Sequence, residues 1–598
     1  MDKNTFTGLF LIMIVLAGSF YFFKPSEAEI KKESERIAAD STKKASAVTP
    51  APQAAIATPA IDSTTLKGPF GSNISGTEQE TVLENQNLKL TFTNKGGKIL
   101  SVEVKGQKTF EGSPVVLFNG KQNKFGLNLN VGGKMVNTND LYFTASKTAS
   151  GVSMRANYTG DKYIEFLYDL KPSGNNVSLN IALNGLNQVV QGNTLALNWE
   201  TTLLQQEKSI ENEQRYSAPY YKYVTESPDH LNVAKDEKEE LKEAKIEWIS
   251  FKQHFFSAVL LPAVPFDKGE LEVKVSTQPK EVKWYGANMQ LPFNQLAAQN
   301  YAFTFYFGTN KFSTLKDQGH EIEKQVDMGY WPLKYINRFV VLPVFNWLES
   351  FGWGYGMIIL LLTIALKVAM SPLTYKSYVS MAKMRILKPE MDVIKAKVGD
   401  DNPTLLQQEY LKLYKQVGVN PLGGCLPMLL QLPFVMAFFF FFPNLFELRG
   451  ESFLWMKDLS TYDEFIKFGF TIPVIGNHLS LMCILMTIST LIYTYFNNQI
   501  SGASGQMKYI GYIMPIVFLG VLNSYPSGLN YYYFLANMLT FAQQFAIKSM
   551  VDDDKIHKTL QDNKTKPAEQ KKKGKFQSRL DDYMRQQQKV QIQKKKEK

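Results

Sequence analysis

Lys367 is the residue whose type and position most demand a chemical reason. It is the single charged side chain in the 20-residue apolar stretch Gly354 to Leu373, and a cation near the centre of a membrane helix costs about 2.5 to 3.5 kcal/mol on insertion scales. Eight residues separate it from Tyr375, about 12 Å of helix rise, which is more than a lysine stem spans by snorkelling. Two readings stay open: an internally paired lysine, or a cationic site in a water-accessible cavity. Such a cavity needs polar walls. Asn530, Tyr533, Asn537, Thr540 and Gln544 recur at spacings of 3, 4, 3 and 4 and therefore share one helix face. Thr363 lies four residues before Lys367, and Gln431 has Pro427 four residues before it. Hydrogen bonding between helices would also account for such a stripe. No carboxylate occurs in any of the apolar stretches, so the natural partner for Lys367 is an acidic group arriving from elsewhere.

Other chemistry is poorly provided for. His320-Glu321-Ile322-Glu323-Lys324 is the nearest approach to a zinc-protease helix, with lysine in the place of the second imidazole. Gly502-Ala503-Ser504-Gly505-Gln506 falls one glycine short of a nucleophile elbow. The two cysteines, Cys425 and Cys483, sit inside apolar runs, which excludes a disulfide framework or thiolate cluster. Neither an enzyme, a metal nor a cofactor is expected.

The elements that must hold these residues alternate between two solvents. The 598 residues are 44% hydrophobic, yet 66 Lys+Arg against 55 Asp+Glu leave a charge of +11, so a polar half must be joined to uncharged runs. Phe6 to Phe23 is an 18-residue uncharged run, read as a retained anchor because no polar approach to a cleavage site follows Ala17-Gly18-Ser19. Residues 25–76, rich in Ala, Ser, Thr, Lys and Pro, read as a flexible tether. Leu88, Leu90 and Phe92 alternate with polar residues, Asn94-Lys95-Gly96-Gly97 makes a turn, and Leu100, Val102 and Val104 alternate again. The same period at Val177, Leu179, Ile181 and Leu183 predicts a large antiparallel β-sandwich over 77–327.

The predicted helical part follows. It comprises an interfacial amphipathic helix at 328–352, spans at 353–375, 421–446, 479–497, 509–524 and 529–548, a cytoplasmic hairpin at 376–420, a periplasmic loop at 447–478 and a short cytoplasmic loop at 498–508. With the anchor at 1–24, six crossings result. The break at Asn523-Ser524-Tyr525-Pro526-Ser527-Gly528 reads as an interfacial turn. The 16 residues of 509–524 give about 24 Å of helix against a hydrocarbon core of about 30 Å, which predicts a thinned bilayer there.

Lysine and arginine counts set orientation: eight in 376–420, one in 497–508 and fifteen in 549–598, against three in 447–478. The first group belongs in the cytoplasm, so both termini are expected there and the β-domain outside it. Lys383, Arg385 and Lys388 make the first hairpin arm basic, either a docking site for an acidic partner or a solvated face. The tail at 549–598 is expected to be disordered or only locally helical, and to bind ribosomal RNA or anionic lipid.

Ser380-Met381-Ala382-Lys383-Met384-Arg385, Asn420-Pro421-Leu422-Gly423-Gly424-Cys425-Leu426-Pro427 and Tyr525-Pro526-Ser527-Gly528-Leu529 resemble, in that order, the motifs of the YidC membrane protein insertases. Trp248 to Phe256, with Gln253-His254-Phe255-Phe256, looks like the end of that family's outer domain. The resemblance runs nearly end to end. It implies an α+β membrane protein of the inner membrane, with a periplasmic β-supersandwich and a five-helix core around a groove open to cytoplasm and lipid. It also implies nascent membrane proteins as clients, alone or beside the Sec translocon, with client contacts at Cys425, Pro427, Tyr532 and Tyr533 and the groove charge at Lys367. Most bacterial relatives carry arginine there, so a bidentate grip on carboxylates is lost while the charge remains. Two other readings compete: a secondary transporter using Lys367 as a substrate or proton site, and an envelope scaffold. The first lacks paired half-repeats.

Overall fold

A computed structural model describes residues 69–399, 403–419, 426–501 and 506–565. The expected first span, the tether up to residue 68, Cys425 and the tail beyond residue 565 lie outside them. The chain divides into a β unit reaching Met328, to which Asn444–Gly450 also belongs, and a helical unit formed by Gly329–Pro443 and the chain from Glu451 onward.

The β unit contains β1 (Glu80–Glu84), β2 (Leu88–Thr93), β3 (Lys98–Lys108), β4 (Pro114–Asn119), β5 (Lys124–Val131), β6 (Lys134–Asn137), β7 (Thr144–Lys147), β8 (Gly151–Thr159), β9 (Lys162–Leu170), β10 (Asn176–Asn184), β11 (Thr194–Leu204), β12 (Ala218–Tyr223), β13 (Asp229–His230), β14 (Glu237–Leu241), β15 (Ile246–Lys252), β16 (Phe256–Pro262), β17 (Lys268–Val275), β18 (Glu281–Pro292) and β19 (Gln299–Thr309). They form a nine-stranded sheet in the order β13-β12-β15-β16-β19-β10-β9-β8-β7, a six-stranded sheet β14-β17-β18-β11-β5-β6 and a four-stranded sheet β1-β2-β3-β4, with antiparallel pairing such as Val177↔Phe305 and Val177↔Leu170. The period-two pattern works as the alternation requires: Val177, Leu179, Ile181 and Leu183 are buried. Trp199 of the six-stranded sheet stacks on Phe251 of the nine-stranded sheet at 4.0 Å, and Phe118 of the third sheet meets both Trp199 and Phe307 edge-on, so the three sheets share one aromatic core.

Trp248 to Phe256 does not end this unit. It forms β15, the following turn and the start of β16, and three further strands complete the sheets before Thr309. Its aromatic density reflects core position, with Trp248, Phe251, Phe255 and Phe256 all buried.

Beneath helix α1 (Ile210–Arg215) lie two buried lysines. Lys283 donates to Ser217 O at 2.6 Å and Val233 O at 2.8 Å, and Lys252 donates to Tyr216 O at 2.5 Å. Burial pushes Lys252 down to about 8, and burial, then the nearby Lys252 charge, pushes Lys283 down to about 7. Both folded values lie below the ordinary lysine range, so between these values and about 10 the unfolded chain holds more protons than the folded one, and stability rises with pH. The unfolding midpoint of the β unit, followed by tryptophan fluorescence in the full-length protein, is expected to climb from pH 7 to pH 9 and to climb less in Lys283→Met. A flat or falling midpoint would contradict the assignment.

The helical unit opens, after α2 (Phe312–Asp317) of the β unit, with α3 (Leu333–Ile336), a π turn at Asn337–Val341 and α4 (Leu342–Glu349). Tyr335, Phe339 and Trp347 are exposed on this segment, and Asn337 Nδ2 donates to Ala437 O at 2.6 Å. Then come α5 (Tyr355–Ile386), α6 (Lys388–Val398), α7 (Pro403–Val417), α8 (Leu426–Asn444), strands β20 (Ile466–Ile472) and β21 (Gly476–Leu479), α9 (Leu481–Ser501), α10 (Gln506–Leu522), α11 (Ser527–Met550) and α12 (Asp553–Thr565). Gly356 on α5 is required by packing, because a Cβ there would come within 2.1 Å of the Phe453 ring.

Three boundaries differ from the sequence reading. Helix α5 is continuous over 32 residues, so the expected change from span to hairpin at 375/376 falls inside one helix. Charge begins at Lys376, but nothing after Pro372 breaks the helix, and Tyr378, Met381 and Ala382 are buried. The segment 447–478 is not a plain loop, since it holds the β20–β21 hairpin. The tail starts with α12, whose Leu560 packs with Leu387, Leu413 and Val417 of the α6–α7 region. Among the described residues one helix, Tyr355–Ile386, is long and apolar enough to cross a membrane, with shorter apolar stretches at Gln431–Asn444 and Gly511–Leu522.

Candidate functional site

Helices α5, α8 and α11 bring polar side chains together at Lys367. Its Nζ donates to Thr540 Oγ1 at 2.7 Å and to Gln431 Oε1 at 3.4 Å. The Thr540 hydroxyl donates its own proton to Ala536 O at 2.6 Å, which leaves its lone pairs facing the ammonium. Gln543 Nε2 donates to the Lys367 carbonyl at 2.9 Å, tying α11 to α5 at the same level. Lys367 is 8% exposed, and among the described residues no carboxylate pairs with it. Its partners are neutral acceptors only. The cluster can therefore present a positive charge to an anion.

The expected polar stripe on α11 is divided among neighbours. Asn537 Nδ2 donates to Ser489 Oγ and Thr490 Oγ1 on α9, at 2.9 and 2.8 Å. Tyr533 OH donates to Val435 O on α8 at 3.4 Å, and Asn530 Nδ2 to Leu522 O at 3.1 Å. Only Thr540 of the stripe reaches Lys367. Gln544 is buried, and the Oε1 atoms of Gln543 and Gln544 have no protein partner among the described residues. Thr363 donates its hydroxyl to Ile359 O of its own helix at 2.6 Å, as Thr540 does to Ala536 O, but no hydrogen bond among the described residues joins it to Lys367.

Tyr532, expected at a client contact, is 3% exposed and lies against Phe438 and Phe442 at ring distances of 4.4 and 5.8 Å. Its ring is committed to holding α11 on α8. Pro427 falls in the first turn of α8, and Cys425 lies outside the described residues. Lys383 and Arg385 belong to the last turn of α5 and Lys388 opens α6. Arg385 is already paired: its guanidinium meets Asp553 Oδ2 of α12 at 2.6 Å. The acidic partner imagined for this basic arm is thus supplied in part by the chain itself. Lys388 is exposed.

Two features escaped the sequence reading. Gln543 stands three residues after Thr540 and so shares its helix face, a signal hidden by the neighbouring Gln544. Asn523 is fully buried. Its Nδ2 donates to Ile475 O and His478 O at 2.9 and 2.7 Å, and its Oδ1 accepts from Ser480 N at 2.9 Å. The expected turn carries, at Asn523, a buried junction between α9, α10 and the β20–β21 hairpin.

Residues 347–555 match the family model described as 60Kd inner membrane protein, and residues 80–342 match the model described as YidC periplasmic domain. A protein of Bacteroides fragilis named Membrane protein insertase YidC is 39% identical over 614 residues, covering 99% of this chain and 98% of that one. Its namesake in Porphyromonas gingivalis is 34% identical over 636 residues and covers both chains fully, at 100% each. A solved YidC insertase aligns at 18% identity and a TM-score of 0.33 over 78% of this chain and 92% of its own.

Proposed function

This chain belongs to the YidC family of membrane protein insertases, and from that footing we propose that it inserts and folds inner-membrane proteins through a hydrated groove whose charge is Lys367. The observation that carries the groove is the pair of neutral acceptors, Thr540 Oγ1 and Gln431 Oε1, on a lysine that has no carboxylate beside it among the described residues. With neutral acceptors only, the ammonium charge is left to be met by water or by an arriving anion. The orphaned Gln543 and Gln544 carbonyls support hydration, since buried polar atoms without protein partners call for water.

In this reading α5, α8, α9, α10 and α11, with the segment 1–24, make six crossings. Both termini and the α6–α7 hairpin face the cytoplasm and the β unit faces the periplasm. An acidic or polar client tail is drawn toward Lys367, and the client's apolar segment then moves sideways into lipid. Burial of some twenty apolar residues at about 25 cal/mol per Å² supplies the driving force, so no nucleotide site is needed. Work beside the Sec translocon, and contact of the basic tail with ribosomal RNA or anionic lipid, belong to the same proposal.

The test is reconstitution. The purified protein in phospholipid vesicles, without nucleotide, is expected to protect a membrane client with an acidic leading tail from added protease. Protection no greater than in empty vesicles would overturn the proposal.

A further inference from the structure

The β20–β21 hairpin is an apolar prong on a rigid base. At the base, Asp463 accepts from the Ser480 hydroxyl and from Met482 N at the start of α9, Trp455 Nε1 donates to it at 3.1 Å, and Tyr462 stacks on His478 at 3.8 Å. The strands beyond are exposed on both faces: Phe465 is 61%, Phe470 68% and Val474 70% exposed, with Ile466 at 43%. An isolated two-stranded hairpin is marginal in water, and an apolar one needs a further partner. Lys467 at the foot of β20 pairs with Glu464 at 3.6 Å, and residues 468–480 beyond it contain no Asp, Glu, Lys or Arg, so a charged protein surface has little there to read.

The tip identifies the partner. Val474 holds φ at 74°, a strained conformation for a β-branched residue. It packs there on α10, where a Cβ on Gly520 would come within 2.6 Å of Val474 Cγ1. One to two turns earlier on the same helix Ile513, Ile516 and Val517 are exposed. Helix α10 has 17 residues, about 25 Å of rise, and so falls short of a hydrocarbon core of about 30 Å. The hairpin adds apolar surface at the end where that helix runs out.

We propose that the β20–β21 hairpin is a lipid-binding element that seats Phe470 and its apolar neighbours in the outer leaflet beside α10. It extends the apolar band past Leu522 and anchors the face where the span is short. This goes beyond client handling, and needs only that α10 is in the bilayer.

The full-length protein carrying the photoreactive residue p-benzoylphenylalanine at position 470 is irradiated in native membranes and, after purification, in phosphatidylethanolamine and phosphatidylglycerol vesicles. Intact mass identifies the adduct. The same residue at position 465 repeats the test should the change at 470 disturb folding locally, and at position 513 it reports α10 itself. Lipid adducts at 470 or 465, in both settings and at a yield matching 513, are the expected result. A polypeptide adduct at the hairpin in native membranes, or no adduct there while 513 labels lipid, overturns the proposal without touching the insertase reading. Loss of lipid adducts at 513 as well would overturn both the hairpin assignment and the membrane placement of α10.

Discussion

Reversing the charge in the cluster, Lys367→Glu, is expected to cut insertion of a client with an acidic leading tail by several hundredfold. Two unit charges about 8 Å apart at an effective dielectric of about 20 interact by about 2 kcal/mol, so turning attraction into repulsion costs about 4 kcal/mol, and each 1.4 kcal/mol is tenfold in an equilibrium. The glutamate would also place its oxygens toward Gln431 Oε1 and Thr540 Oγ1, the two acceptors that now receive the ammonium, so the local hydrogen bonds fail as well as the attraction. Lys367→Arg should retain activity, and a client with an uncharged tail should suffer much less from the glutamate. Insertion is read as protease protection in vesicles containing equal amounts of folded variant. Equal losses for both clients would make Lys367 a structural lysine.

The second large effect concerns folding. Asn523→Leu removes three hydrogen bonds from a site with no solvent access, taking a donor from Ile475 O and from His478 O and an acceptor from Ser480 N. At about 1 to 3 kcal/mol for each unsatisfied buried group, a loss of about 4 kcal/mol is expected. For a unit of this size that corresponds to a fall of about 10 °C in the unfolding midpoint of the detergent-purified protein. Asn523→Asp keeps the acceptor for Ser480 N but loses both donors, so it should recover only part of the loss. A midpoint unchanged in Asn523→Leu would show that the junction is not what holds α9 and α10 together.

Much of this was legible in the sequence, for physical reasons that differ by region. Period-two alternation marks β2, β3 and β10 because each buries one face against the aromatic core. Lys367 stood out because a charge in an apolar run is rare and costly. Partners were harder to read. Five residues of α11 share a face, yet one face of a central helix meets several neighbours, and α8, α9 and α5 each take different members of the stripe. Thr363 has the right spacing along α5, yet its hydroxyl bonds to Ile359 O and no hydrogen bond among the described residues joins it to Lys367. Tyr532, carried over from a resemblance, is hidden by Phe438 and Phe442, which period alone cannot pair with it.

Membrane exit and helix end are different boundaries. Charge at Lys376 marks the first, while α5 runs on to Ile386 because no breaker follows Pro372. Helix α12 was foreseen only as local helicity in the tail, because its apolar residues, Ile556 and Leu560, have little to bury until Leu387, Leu413 and Val417 are placed beside them. In the β20–β21 segment a run such as Phe468-Gly469-Phe470-Thr471-Ile472 offered strand propensity, but a count of lysines in loops does not look for it.

The account rests on Lys367 facing water and arriving clients, and proximity to a client reports that most directly. With p-benzoylphenylalanine at position 540, whose native side chain touches the ammonium at 2.7 Å, irradiation of ribosome-stalled membrane-protein chains should yield a client adduct that shifts in position as the stalled chain lengthens. Adducts to this protein's own helices or to lipid alone, at every chain length, would contradict it.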